Sequence, residues 1–370
     1  MNVSTTLHYS CRFLLTLSLL VVLAACSSQR EKTNYLHVIP ANATEVAMIQ
    51  LNELVTKAGL SGEESTETAQ KLMTLLTEGA SPALASQLEA LLKEPTESGI
   101  DWNAPVYLFQ SPTLHKPALA LKVIDLKKLE STLRNLGKEG LCTPPAKANG
   151  YQTTDIPEAG IRLSFNDGTL LVLYAGSQAE VEKLSPAIAA LMSQKAEQSL
   201  TAHPHYQALT QQKGDVRLLL TPDSLPFDLR GILNWPHGTQ LIGYLLFEQG
   251  RIYASIQQAG FEGNTGESNQ PFHPQNAREL QQAFLRMMQG IPFNIELTRD
   301  ELLTVTNLHV LMEFAPDEPE IKAFYQLISQ VESMNLRGDS RRTNFTVVLT
   351  EKNQNALKQL VDFGKQMIGF

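Results

Sequence analysis

The stretch ALALKVIDLKKLESTLRNLG (residues 118–137) reads as three parts in succession: an apolar strand, a helix cap and an amphipathic helix. Asp125 is the cap, because a carboxylate just before a helix accepts backbone N–H groups that the first turn leaves unpaired. Gly137 is expected to close the helix, since glycine readily takes the left-handed conformation that ends one. TLLVLYAGSQAEVEKLSPAI (169–188) repeats the plan, with Ser177 and Glu180 at the spacing of a capping box. TNFTVVLTEKNQNALKQLVDFGKQM (343–367) gives it once more. A shorter version spans 46–59, with Val46 to Leu51 expected as a strand and Asn52 as the cap of a short helix ending at Gly59. Recurrence of the unit predicts internal duplication.

Hairpins set the strand direction. Asn166-Asp167-Gly168 lies between two apolar runs, a strong short-range hairpin signal, and Gln249-Gly250 joins Leu241–Phe247 to Ile252–Ile256 in the same way. Helices are also expected over 64–77, from Ala69, Leu72, Met73 and Leu76, and over 82–93, from Leu84, Leu88, Leu91 and Leu92. The expected class is α+β: antiparallel or mixed sheets covered on one side by helices, with duplicated strand–helix units. A boundary is expected within TAHPHYQALTQQKG (201–214), giving domains at 35–200 and 201–370, and GFEGNTGESNQP (260–271) reads as a Gly-rich surface loop.

The first residues follow a different logic. Arg12 precedes Phe13 to Ala25, thirteen residues broken only by Thr16 and Ser18. A bilayer-spanning helix needs about 20 apolar residues, so this run fits a signal peptide over 1–25 instead. Its end, Leu23-Ala24-Ala25-Cys26, resembles the lipobox of bacterial lipoproteins. That resemblance implies cleavage before Cys26, a thioether to diacylglycerol on its sulfur and acylation of its new amino group. Residues 26–34 then form an acylated cysteine and a polar, flexible tether, SSQREKTN. Ser27 stands where an aspartate retains some lipoproteins at the inner membrane, so the expected address is the outer membrane, on either face.

Composition narrows the partners. The 370 residues hold 30 basic and 38 acidic side chains, a net charge of −8, and loss of Arg12 with the signal makes it one unit more negative. Such a chain has no electrostatic footprint for nucleic acid and is repelled by anionic headgroups, so a covalent lipid rather than a basic face must hold it to a membrane. Of three cysteines, Cys11 leaves with the signal, Cys26 is modified, and Cys142 sits alone in a Pro/Gly-rich loop, which excludes a disulfide framework and a multi-cysteine zinc site.

No catalytic or nucleotide-binding motif is present: no G-x-S-x-G, S-x-x-K, H-E-x-x-H, P-loop or G-x-G-x-x-G. No cofactor or metal signature appears either. His203 and His205 lack a third ligand at metal spacing. Asp317, Glu318 and Glu320 lack the central glycine of a calcium loop and fit a helix start. Trp102, Trp235 and His237 are weak binding candidates, because loop aromatics can stack on sugar or peptide while tryptophan more often packs. Arg337, Arg341 and Arg342 form a basic cluster that reads as a solvated loop or as a contact for an anionic partner.

The lipobox, the short tether and YLHVIPANATEVAMIQLNEL (35–54) together resemble an uncharacterised lipoprotein family of Gram-negative anaerobes whose domain has no known function. The positions that carry the resemblance are Ile39, Pro40, Ala43, Val46, Ile49, Asn52 and Leu54, with LALKVIDLKKLESTL and FNDGTLLVLY as later echoes. The resemblance implies an envelope lipoprotein and supplies no catalytic residues. The expected function is binding or scaffolding, without catalysis, of an envelope protein or glycan by a protein anchored through lipid on Cys26. The alternatives are a hydrolase with an unrecognised site and a carrier of an apolar ligand.

Overall fold

The computed structural model describes residues 33–60, 94–222, 238–261, 270–289, 291–308, 319–339 and 341–368, with single positions at 86 and 310. Cys26, Trp235, His237, Asp317, Glu318, most of the loop at 260–271 and, apart from position 86, the helices expected within 64–93 lie outside the described residues. The chain divides into two units, Met1–Tyr206 and Gln207–Phe370. The α+β class holds: in each unit an antiparallel sheet carries helices.

Unit 1 opens with a 3-10 helix, Thr33–Val38, so Thr33 and Asn34 belong to the folded body rather than to the expected tether. Its strands are β1 (Glu45–Ile49), β2 (Val106–Gln110), β3 (Ala118–Lys122), β4 (Ala146–Lys147), β5 (Gln152–Ile156), β6 (Ile161–Phe165) and β7 (Thr169–Tyr174), in the order β1-β2-β3-β7-β6-β5-β4. Helix α1 (Leu51–Lys57) follows β1, α2 (Leu126–Lys138) follows β3, and α3 (Gln178–Lys183) and α4 (Ser185–Met192) follow β7. The caps match their residue chemistry: Asp125 accepts the N–H groups of Lys127 and Lys128 at 3.0 and 3.1 Å, and Ser177 accepts that of Glu180 at 3.3 Å. Asn52 is not a cap. Leu51 is already helical, β1 stops at Ile49, and the Asn52 amide donates to Asn103 Oδ1 at 2.9 Å, a tertiary partner that replaces the local one.

One face of this sheet packs Val106, Leu119, Leu121, Phe165 and Leu170 against Leu51 and Val55 of α1 and Leu129 and Leu133 of α2. The other face is also closed. Register puts Val46 and Met48 beside Phe109 and Tyr107, and these beside Ala118 and Ala120; all are buried. The two alanines admit the 3-10 helix, whose Tyr35 stands edge-on to Tyr107 at 5.9 Å and donates its hydroxyl to the Pro105 carbonyl at 3.0 Å. Toward the sheet's far edge, Arg162 of β6 grips Asp155 of β5 through two bonds of 2.7 and 2.8 Å and donates to Ser185 of α4. Gln178 of α3 donates to the same carboxylate at 2.8 Å, so a buried polar knot holds α3 and α4 down. The turn from β5 to β6 ends on Gly160, φ +61°, where a side chain would meet Ser177 N at 2.3 Å. Only glycine fits there.

The helix α5 (Tyr206–Gln211) starts at the division and opens unit 2, whose strands are β8 (Val216–Leu220), β9 (Leu241–Glu248), β10 (Arg251–Gln258), β11 (Phe293–Thr298), β12 (Val331–Gly338) and β13 (Arg342–Leu349). Helices α6 (Ala277–Met288), α7 (Arg299–Val305), α8 (Pro319–Ser329) and α9 (Ala356–Ile368) intervene or follow. The order is β8-β9-β10-β13-β12-β11. In both units three strands form a meander, a helix follows, and the last strand returns beside the third. Thr298 and Glu301 at the start of α7 form a full capping box.

Candidate functional site

Side chains alternate between the two faces of a strand. In unit 2, Phe293, Ile295 and Leu297 of β11 and Val347 and Leu349 of β13 are buried. The residues between them build an opposite, polar face. Along one row the register pairs Asn294 with Arg337, Arg337 with Asn344, Asn344 with Ser255, Ser255 with Tyr244, and Tyr244 with Arg217. In the neighbouring rows Tyr253 faces Thr346 and Gln257 faces Arg342.

A pocket of about 350 Å³ lies on this face, with Arg337 and Arg342 on one side, Tyr244 and Tyr253 on the other, and Asn344 and Thr346 between them; Ala254 and Phe345 complete its lining. Neighbouring strands are about 4.8 Å apart, so the span from Arg337 on β12 to Tyr244 on β9, three spacings, is about 14 Å. The floor is fixed: Ser255 Oγ lies 2.9 Å from Asn344 Oδ1, which turns the Asn344 amide nitrogen to the other side. Arg251 donates to the Tyr253 hydroxyl at 3.2 Å. Arg342 enters β13 from a turn in which Asp339 accepts the backbone N–H groups of Arg341 and Arg342 at 2.7 and 3.1 Å. Burial pushes the Asp339 carboxyl upward, but these bonds and the Arg341 guanidinium outweigh it and hold it below the usual carboxylate range. The Arg342 Nε is buried with no hydrogen-bond partner, which a native structure seldom tolerates without a reason.

The basic cluster therefore splits. Arg337 and Arg342 reach the pocket, whereas Arg341 stacks over Phe261 at 4.6 Å and pairs with Asp339. No carboxylate, imidazole or thiol lines the pocket. Guanidinium, phenol, amide and hydroxyl groups are hydrogen-bonding groups suited to binding and orienting an anion or a polyol.

The other candidates stand elsewhere. Trp102 is 3% exposed, and its indole N–H reaches Ser98 Oγ at 3.0 Å and the Pro95 carbonyl at 3.2 Å within the core of unit 1. His203 and His205 lie with rings 5.8 Å apart; burial, then the charge of His205, lowers the His203 pKa. Among the described residues no three His, Cys, Asp or Glu side chains group as metal ligands, and no helix is long and apolar enough to cross a membrane. Cys142 is buried and donates to the Leu133 carbonyl at 3.4 Å, and burial pushes its thiol up, away from reactivity. Tyr244, Tyr253 and Thr346 went unnoticed in the sequence, although the alternation Tyr253, Ser255, Gln257 and Arg342, Asn344, Thr346 is a period-two signal for one polar face.

Known proteins add a family and a faint structural likeness. No curated protein matches the chain. Crystal form I of TP0453 aligns over 91% of this chain and 99% of its own at 10% identity, with a TM-score of 0.36. Crystal form III aligns over 90% and 97% at 10% identity, with a TM-score of 0.38. Similarity at that level carries no argument. The model of DUF4836, a domain of unknown function, matches residues 35–232, more than half of the chain; the match crosses the division at Tyr206 and stops short of the pocket. On that match the chain belongs to the DUF4836 family.

Proposed function

We propose that the protein is a lipid-anchored binding protein of the bacterial cell envelope, held at the outer membrane by acyl chains on Cys26 and engaging an envelope component without chemical change. The binding part is carried by the pocket of unit 2, which offers guanidinium, phenol, amide and hydroxyl groups. The address draws on the sequence: Leu23-Ala24-Ala25-Cys26 after a short apolar run, then six residues before the 3-10 helix at Thr33. At up to about 3.5 Å per residue, such a linker keeps the body within roughly 20 Å of its anchor. Each buried CH₂ contributes about 0.8 kcal/mol, so several acyl chains give a durable hold where one does not.

Intact-protein mass spectrometry of the membrane-extracted chain tests the anchor. The expected mass lacks residues 1–25 and carries fatty acids, while Cys26→Ser leaves an unprocessed, unacylated precursor. A wild-type chain without fatty-acid mass overturns the placement. Affinity capture from solubilised envelopes tests the binding role, and recovery of no enriched protein or glycan argues against it.

A further inference from the structure

We propose that the unit 2 pocket takes an acidic sugar unit of an envelope glycan, its carboxylate held by Arg337 and Arg342 and its ring laid against Tyr244 and Tyr253. The proposal rests on the binding-protein reading above and names the ligand class. Guanidinium groups present planar pairs of N–H donors that match the two oxygens of a carboxylate. With a small rotation of the Arg342 side chain, a carboxylate bridging Nε and a terminal nitrogen would satisfy the buried Nε that has no partner in the structure. Across the pocket the tyrosines offer ring faces for sugar C–H groups and hydroxyls for hydrogen bonds. Asn344 and Thr346 between them supply the donors and acceptors that a polyol requires.

Size and field point the same way. At about 350 Å³ the pocket lies near the lower end of the range for small-molecule sites, suited to a short saccharide unit rather than to a folded partner. The whole chain carries a net charge of −8, so the overall field does not draw an anion in, and recognition falls to the two local guanidiniums. By register the acidic positions nearest the pocket on this face are Glu296 of β11, diagonal to Arg337 beside Asn294, and Glu248 of β9, diagonal to Tyr253 beside Leu246; neither lines it.

Isothermal titration of the full processed chain in detergent micelles with sodium glucuronate, sodium galacturonate, glucose and sodium phosphate provides the test. One of the uronates is expected to bind at least about tenfold more tightly than glucose or phosphate. Arg337→Gln and Arg342→Gln are each expected to weaken that binding about tenfold, with unchanged near-UV circular dichroism. Arg337 is exposed, so its variant reports on binding even where Arg342→Gln disturbs the turn. Failure of both uronates, equal affinity for glucose, or indifference to both substitutions overturns the proposal; phosphate binding as tightly as a uronate overturns the sugar. The acyl mass on Cys26, read from the same sample, reports on the anchor independently.

Discussion

The third strand of each unit holds the same place in the strand order, yet β3 is buried at all five residues while β10 is buried only at Ser255. The difference lies in what comes back to the second face. In unit 1 the 3-10 helix and the α3–α4 pair return to it, and β3 answers with ALALK, a run in which both faces accept packing. In unit 2 β10 reads RIYASIQQ, apolar and polar by turns, and neither row is sealed: Ile252, Ala254 and Ile256 stay half-buried, and the row of Tyr253, Ser255 and Gln257 keeps a pocket above the buried Ser255. A repeated topology can thus be used once as a sealed body and once as a platform, with side-chain alternation deciding which.

Substitution across the two sheets sharpens or breaks this contrast. Phe109→Ala, in the doubly covered sheet, is expected to cost about 3–5 kcal/mol in urea unfolding, as buried aromatics do. Asp155→Asn comes next, at about 3 kcal/mol near neutral pH, because it leaves the half-buried Arg162 without its charge partner. Burial alone would raise the Asp155 pKa, but the bonds from Arg162 and Gln178 outweigh it and lower it. A lowered folded-state pKa gives stability that is full above the ordinary carboxylate range and is lost as pH falls through the folded value. Unfolding measured from pH 7 to 2 should therefore show the gap between wild type and Asp155→Asn closing with acid; a gap constant over that range refutes the assigned role.

Smaller effects probe what the units share. Asp125→Ala at α2 and Thr298→Ala at α7 should each cost about 1 kcal/mol, since both remove a side-chain oxygen from a helix start. The smallest change is expected on the open face, where Thr346→Ala should stay within about 0.5 kcal/mol in the same urea experiment. A Thr346→Ala cost near that of Phe109→Ala would mean that the polar face is as tightly packed as the core, and the contrast would fall.

Local signals carried much of this architecture in plain view. Asn166 accepts the N–H groups of Gly168 and Thr169 at 3.1 and 3.0 Å, the hairpin that its sequence announces. Ser177 caps as its spacing suggests, but Glu180 completes an ion pair with Lys183 at 2.6 Å instead of reaching back, so only half of the expected box forms. Where a distant group competes, local reading loses, as at Asn52 with Asn103. Strand β12, VESMNLRG, lacks an apolar run and finds its place only through its neighbours β11 and β13. The pocket is of that second kind. Its two arginines are near in sequence, but Tyr244 and Tyr253 join them by cross-strand register, which no single segment reveals.

The 3-10 helix at the head of unit 1 has a mechanical meaning. Tyr35, Leu36, Val38 and Ile39 are buried, so tension on the chain ahead of Thr33 is delivered straight into the hydrophobic interior. Peeling this segment away would uncover Tyr107 and the alanines of β3 together, making the leading end a tension-bearing root of the body rather than a leash that frays first.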